Sequence, residues 1–102
     1  MASPDEFTKT LLDKIITNVI SCLPLIENMF KDQNHDLNKK IGITKKRDFM
    51  LGAVWCIVLE KFIITSYLHT GKTINYENGI DISKYVLEKI SESNILMSIK
   101  ND

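Results

Sequence analysis

An all-α fold is predicted for this chain, and three observations predict it. Apolar residues recur at helical spacing over two long stretches, and these stretches carry recognisable start and stop signals. The one short alternating stretch, residues 72–80, has no partner strand. The expected architecture has three main helices: one long and amphipathic, one central and apolar, one short and C-terminal. They form a helical bundle completed by dimerisation. At 102 residues the chain makes a single helical domain over residues 1–102.

The first helix starts at Ser3-Pro4-Asp5-Glu6. Ser3 is expected to cap, Pro4 to take the first helical position and Glu6 to complete a capping box. Leu11, Leu12, Ile15, Ile16, Val19, Cys22, Leu23, Ile26, Met29 and Phe30 then fall within one arc of roughly 140° on a helical wheel. Lys9, Asp13, Lys14, Thr17, Ser21, Glu27 and Lys31 lie outside it. Pro24 sits on the polar side and deprives the Ile20 carbonyl of its usual donor, so a kink with the proline on the convex face is expected.

Residues 31–42 are polar and turn-like, with room for a short helical turn ended by Gly42. Thr44 is expected to cap the central helix, which runs to about His69 and stops at Gly71. Residues 72–80 carry Asn78-Gly79 and read as an irregular connection. Asp81 or Ser83 is expected to cap the last helix, with Ile82, Tyr85, Val86, Leu87 and Ile90 as its apolar residues. Its end is expected between Ser93 and Met97, and the tail from Lys100 should fray.

The central helix sets the predicted architecture. On a wheel, residues 49–68 show no polar face. Leu51, Trp55, Val58, Leu59 and Phe62 define one side. Phe49, Met50, Ala53, Ile57, Ile64, Tyr67 and Leu68 lie around the other. A helix that is apolar all round must be buried over most of its circumference. One long and one short neighbour are too few to enclose it, and soluble monomers rarely expose large apolar patches. A two-fold homodimer is therefore expected, with an interface of Met50, Ala53, Val54, Ile57, Ile64 and Leu68. Gly52, Ala53 and Cys56 are small enough to let backbones approach there.

Composition removes several function classes. Basic and acidic residues number 13 each, so no uniformly charged nucleic-acid coat exists. Apolar residues at 44% are too many for a disordered chain, and two cysteines are too few for a disulfide scaffold. The opening residues 1–7 lack the basic region and apolar run of a signal peptide, so a cytoplasmic location with reduced thiols is expected. Residues 49–59 are continuously apolar, but Glu60 and Lys61 follow after only eleven residues. Each would cost about 2.5–3.5 kcal/mol in hydrocarbon, so a buried helix is expected and not a membrane span.

Five cations, Lys39, Lys40, Lys45, Lys46 and Arg47, fall within nine residues and make a candidate anion- or nucleic-acid-binding segment. Three of them occupy the first turn after Thr44, where cations oppose the helix dipole. Residues 37–44, Leu-Asn-Lys-Lys-Ile-Gly-Ile-Thr, resemble the turn of helix-turn-helix DNA-binding proteins, with Gly42, Ile43 and Thr44 matching its glycine, apolar residue and cap. The resemblance implies that Lys45, Lys46 and Arg47 would open a recognition helix facing phosphates or base edges. Asn38 and Asp48 depart from that pattern, standing where a small residue and an inward apolar residue are usual.

Other chemistry finds less footing. Cys22, Cys56, His35 and His69 form no local ligand pair, and both cysteines read as small core residues. His35-Asp36 resembles the paired residues of HD-type phosphohydrolases, but those enzymes need a further upstream histidine and none exists. Glu60 and Lys61 are sequence neighbours and point about 100° apart on a helix. Trp55, Phe62 and Tyr67 read as an aromatic core stripe. The chain is thus expected to be a non-catalytic interaction or adaptor module acting as a homodimer, without metal or cofactor. The alternative is a dimeric DNA-binding regulator using residues 37–47.

Overall fold

The structure, a computed structural model, describes residues 4–30 and 45–99, without the side chains at 26, 27, 29 and 30. Within them lie five helices and no strand: α1 Glu6–Ser21, α2 Leu23–Phe30, α3 Lys46–Thr70, α4 Tyr76–Ser91 and α5 Asn94–Met97. The all-α expectation holds. α3 runs through the middle, with α1 and α4 packed against it and against each other, and α5 folds back onto α3 and α4.

The caps explain where the helices begin. Asp5, not Ser3, is the N-cap of α1: its Oδ1 accepts from the Thr8 N–H at 2.8 Å. That hydrogen bond favours the carboxylate and holds Asp5 below its ordinary pKa. Pro4 therefore precedes the cap and does not open the helix. For α3 the N-cap position is Lys45, with no side-chain cap bond; Thr44 lies outside the described residues. Gly71 ends α3 as expected, at φ 69°, and its N–H reaches the Tyr67 carbonyl at 2.7 Å. Only a residue without Cβ takes that left-handed turn cheaply.

Two boundaries differ from the sequence expectation. The first long helix is broken, not kinked. Pro24 has no N–H for the Ile20 carbonyl, and the Cys22 N–H bonds the Val19 carbonyl at 3.0 Å instead. The chain then restarts at Leu23, with Pro24 in the first turn of α2, where a missing N–H costs nothing. The last long helix begins earlier than expected. Asn75 is its cap: its Oδ1 accepts from the Asn78 N–H at 2.8 Å, and the Gly79 N–H bonds the Asn75 carbonyl at 2.9 Å. Asn78-Gly79 is thus first-turn helix rather than a turn, and Asp81 and Ser83 are interior residues of α4.

The core is one cluster. Leu12, Ile15, Ile16 and Val19 come from α1, Leu23 from α2, Met50, Val54, Val58 and Phe62 from α3, and Ile82, Val86 and Ile90 from α4. Leu96 of α5 and Ile99 complete it, two residues next to the tail that sequence reading left out. Ser93 makes this possible by capping α5 through the Leu96 N–H at 3.2 Å. Burying one such aliphatic or aromatic side chain contributes about 1.5–3 kcal/mol. Leu87, expected among the apolar residues of α4, is exposed.

Two polar contacts tie the helices across this core. The Trp55 indole N–H donates to the Ser83 carbonyl of α4 at 3.3 Å. The Tyr85 hydroxyl donates to Asp13 Oδ1 of α1 at 2.8 Å. Burial, the hydrogen bond to Asp13 and the negative charge of Asp13 together push the Tyr85 phenol up to about 12.

Candidate functional site

α3 has 25 residues and a nearly unbroken apolar surface, yet only 22% of its most apolar 18-residue stretch is buried. Its length and composition are enough to cross a membrane. The buried stripe, Met50, Val54, Val58 and Phe62, follows i to i+4 spacing. Such a row drifts by about 40° at each step, so it winds diagonally across the helix. Leu51, Trp55, Ile57 and Leu59 flank it, half-buried.

The opposite side is open. Ile64 is 51% exposed, Tyr67 52% and Leu68 78%, with Cys56, Glu60 and Lys61 also exposed. Gly52 and Ala53 are half-buried, and a Cβ built on Gly52 would meet nothing within 4 Å. The face therefore runs from small residues at its N-terminal end, through one charged step, to large apolar residues at its C-terminal end.

The expected interface residues divide between these two sides. Ile64 and Leu68 stand on the open face, and Ala53 borders it. Met50 and Val54 do not: each is 1% exposed and fills the chain's own core. Ile57 is half-buried against that core. The error comes from treating the buried stripe as straight. A diagonal stripe carries Met50 and Val54 into the core at the N-terminal end, on a side that lies open further along.

Cys56 is also a correction, because it is exposed rather than a core residue, and Cys22 is exposed at the break between α1 and α2. Both are free thiols. Among the described residues, no three His, Cys, Asp or Glu side chains converge as a ligand set.

Of the basic segment, Lys45, Lys46 and Arg47 fall within the description; Lys39 and Lys40, like His35, lie outside it. Lys45 is exposed, whereas Lys46 and Arg47 are half-buried. Arg47 Nε sits 3.8 Å from Asp48 Oδ1. The three cations open α3 as expected, with an acid placed directly beside them.

One further apolar feature escaped sequence reading. A groove between α3 and α4 is lined by Leu59, Ile63, Ile74, Tyr76 and Ile80, and Ile63 joins it to the open face. Its α4 side was invisible because residues 72–80 read as irregular connection. A more polar cleft lies between the start of α1, the end of α3 and the start of α4. There the caps Asp5 and Asn75 already take the Thr8 and Asn78 N–H groups.

Comparison of the chain with protein-family models, with curated proteins and with solved structures finds no match.

Proposed function

We propose that this chain is a non-catalytic helical interaction module that acts as a homodimer through the open face of α3. One observation carries the reading: Ile64, Tyr67 and Leu68 form an exposed apolar end on a helix whose other side is fully packed. Apolar side chains grouped in this way gain free energy by leaving water, at about 25 cal/mol per Å². Fold and function are then linked directly, since the bundle that fixes α3 from behind also presents its front.

The DNA-binding alternative draws on less. Lys45 stands exposed at the start of α3 without a side-chain cap bond, which suits an anion. The Arg47–Asp48 ion pair lowers the positive field at the same place.

The test is the mass in solution by light scattering. The unmodified chain, 11.7 kDa as a single copy, should elute at twice that mass. The double variant Ile64→Glu, Leu68→Glu should elute as a single copy with its helical circular dichroism retained. An unmodified chain that stays a single copy at micromolar concentration overturns the proposal.

A further inference from the structure

We infer that the cleft between the start of α1, the end of α3 and the start of α4 binds a small zwitterion with an aliphatic body, an apolar amino acid. This goes beyond the homodimer reading and does not depend on it, because none of Ile64, Tyr67 and Leu68 lines the cleft. The cleft holds about 510 Å³, within the roughly 300–1,000 Å³ of small-molecule sites.

The polar groups on its walls are of two kinds. Some serve the fold. The Asp5 carboxylate and the Asn75 side chain accept from the Thr8 and Asn78 N–H groups, and the Thr70 hydroxyl donates to the Ser66 carbonyl at 2.9 Å. The others have no partner among the described residues: the Asp81 carboxylate, the Lys72 ammonium and the hydroxyls of Ser66 and Thr8. The contrast is plain within α1. Thr10 and Thr17 turn their hydroxyls back onto carbonyls of their own helix at 2.9 Å, and Thr8 does not. Asp81, Ser66 and Thr8 are half-buried, whereas Lys72 stands exposed on the connection after α3.

Charge selects the ligand. With Asp5 engaged at its cap, one free anion and one free cation line the same cleft, and no ion pair joins Asp81 to Lys72. A half-buried carboxylate without a partner has lost part of its hydration uncompensated. A ligand ammonium restores that loss through a charge-assisted hydrogen bond. Its three donors are more than one carboxylate needs, and the oxygens of Ser66 and Thr8 accept the rest. Lys72, a point charge on a flexible stem, takes the ligand's carboxylate. A ligand of one charge alone leaves either Asp81 or Lys72 unmatched.

The apolar wall fixes the rest of the ligand. Phe62 and Ile82 form the floor and are buried, with Ile74 half-buried against the same core. An aliphatic side chain lies against this floor, and a charged one would lose its hydration there.

The test uses three compounds with one aliphatic body. L-Leucine carries both charges, isoamylamine the ammonium alone and isocaproate the carboxylate alone. Titrated into the full chain near neutral pH and followed by amide NMR, L-leucine should saturate with a Kd of about 1 mM or tighter. The shifted amides should include those of Ser66, Thr73 and Asn78. Isoamylamine and isocaproate should each bind at least about tenfold more weakly, the loss of one charged hydrogen bond.

Two variants assign the charges, each with its helical circular dichroism checked. Asp81→Asn should weaken L-leucine at least about tenfold and leave isocaproate unchanged. Lys72→Met, on the exposed connection, should weaken L-leucine and leave isoamylamine unchanged. No saturation by about 10 mM L-leucine overturns the inference. So does an Asp81→Asn or Lys72→Met chain that binds L-leucine as well as the unmodified one. Binding of isoamylamine or isocaproate as tight as that of L-leucine also overturns it, since the cleft would then read a single charge. None of these outcomes bears on the mass in solution, so the homodimer reading stands or falls separately.

Discussion

The two sides of α3 are made of similar residues and meet opposite surroundings. One side, Met50, Val54, Val58 and Phe62, is almost wholly enclosed by α1, α4 and α5. The other, with Ile64, Tyr67 and Leu68, has no described helix over it. Hydropathy alone does not separate them, because α3 has no polar face to mark the outside. The number of neighbours decides which apolar side is packed, and the i to i+4 winding decides where that side runs. A uniformly apolar helix therefore states how much it must bury but not in which direction.

The sharpest way to break this contrast is a pair of truncations on the two sides. Phe62→Ala should cost about 3–5 kcal/mol in urea unfolding, since it leaves a cavity among packed neighbours. Leu68→Ala, measured at concentrations low enough to keep copies apart, should change stability by no more than about 0.5 kcal/mol. Equal losses would show that the two sides are not different.

Gly52→Ala sharpens the contrast from the small end of the open face. A helical glycine is destabilising by roughly 0.5–1 kcal/mol relative to alanine, and nothing stands within 4 Å of the new methyl group. Thermal unfolding of the dilute chain should therefore shift upward. A downward shift would mean that this side is already closed.

The smallest effect is expected where α1 and α4 meet beside the packed side. The Tyr85 hydroxyl bonds Asp13 only while protonated, and its pKa is raised from 10.0 to about 12 in the folded chain. The stability it adds is complete below the unfolded value near 10 and disappears as pH rises through 12. Tyr85→Phe should remove that alkaline fall, and phenolate absorbance should lose the group titrating near 12. An unchanged profile in the variant would detach Tyr85 from the packing of α1 against α4.

Much of the fold was legible because periodicity reports it directly. The buried residues of α1 repeat at helical spacing, and Gly71 is the one described residue with positive φ. What was not legible has physical causes. Asp5 and Asn75 displaced the expected caps because several polar residues stood near each helix start, and spacing alone does not rank them. Pro24 announced a disturbance by leaving the Ile20 carbonyl without its usual donor, but whether a helix bends or breaks depends on how the turn before it closes, here with the Cys22 N–H on the Val19 carbonyl and a restart at Leu23. Leu96 and Ile99 are buried only because Ser93 starts a four-residue helix, too short to show a period. For the site, the lack of a polar face on α3 puts Ile64 and Leu68 among the expected interface residues, and both stand exposed in the single chain. The diagonal course that takes Met50 and Val54 away from them requires three-dimensional neighbours.

The hydrogen bond from Trp55 to Ser83 gives the molecule an optical gauge of its own. Trp55 is the sole tryptophan, seated on the seam between α3 and α4 and turned away from Leu68. Its emission colour therefore follows whether those two helices remain docked and stays indifferent to what covers the other side. Fluorescence and light scattering, recorded on one sample, read the inside and the outside of the same helix separately.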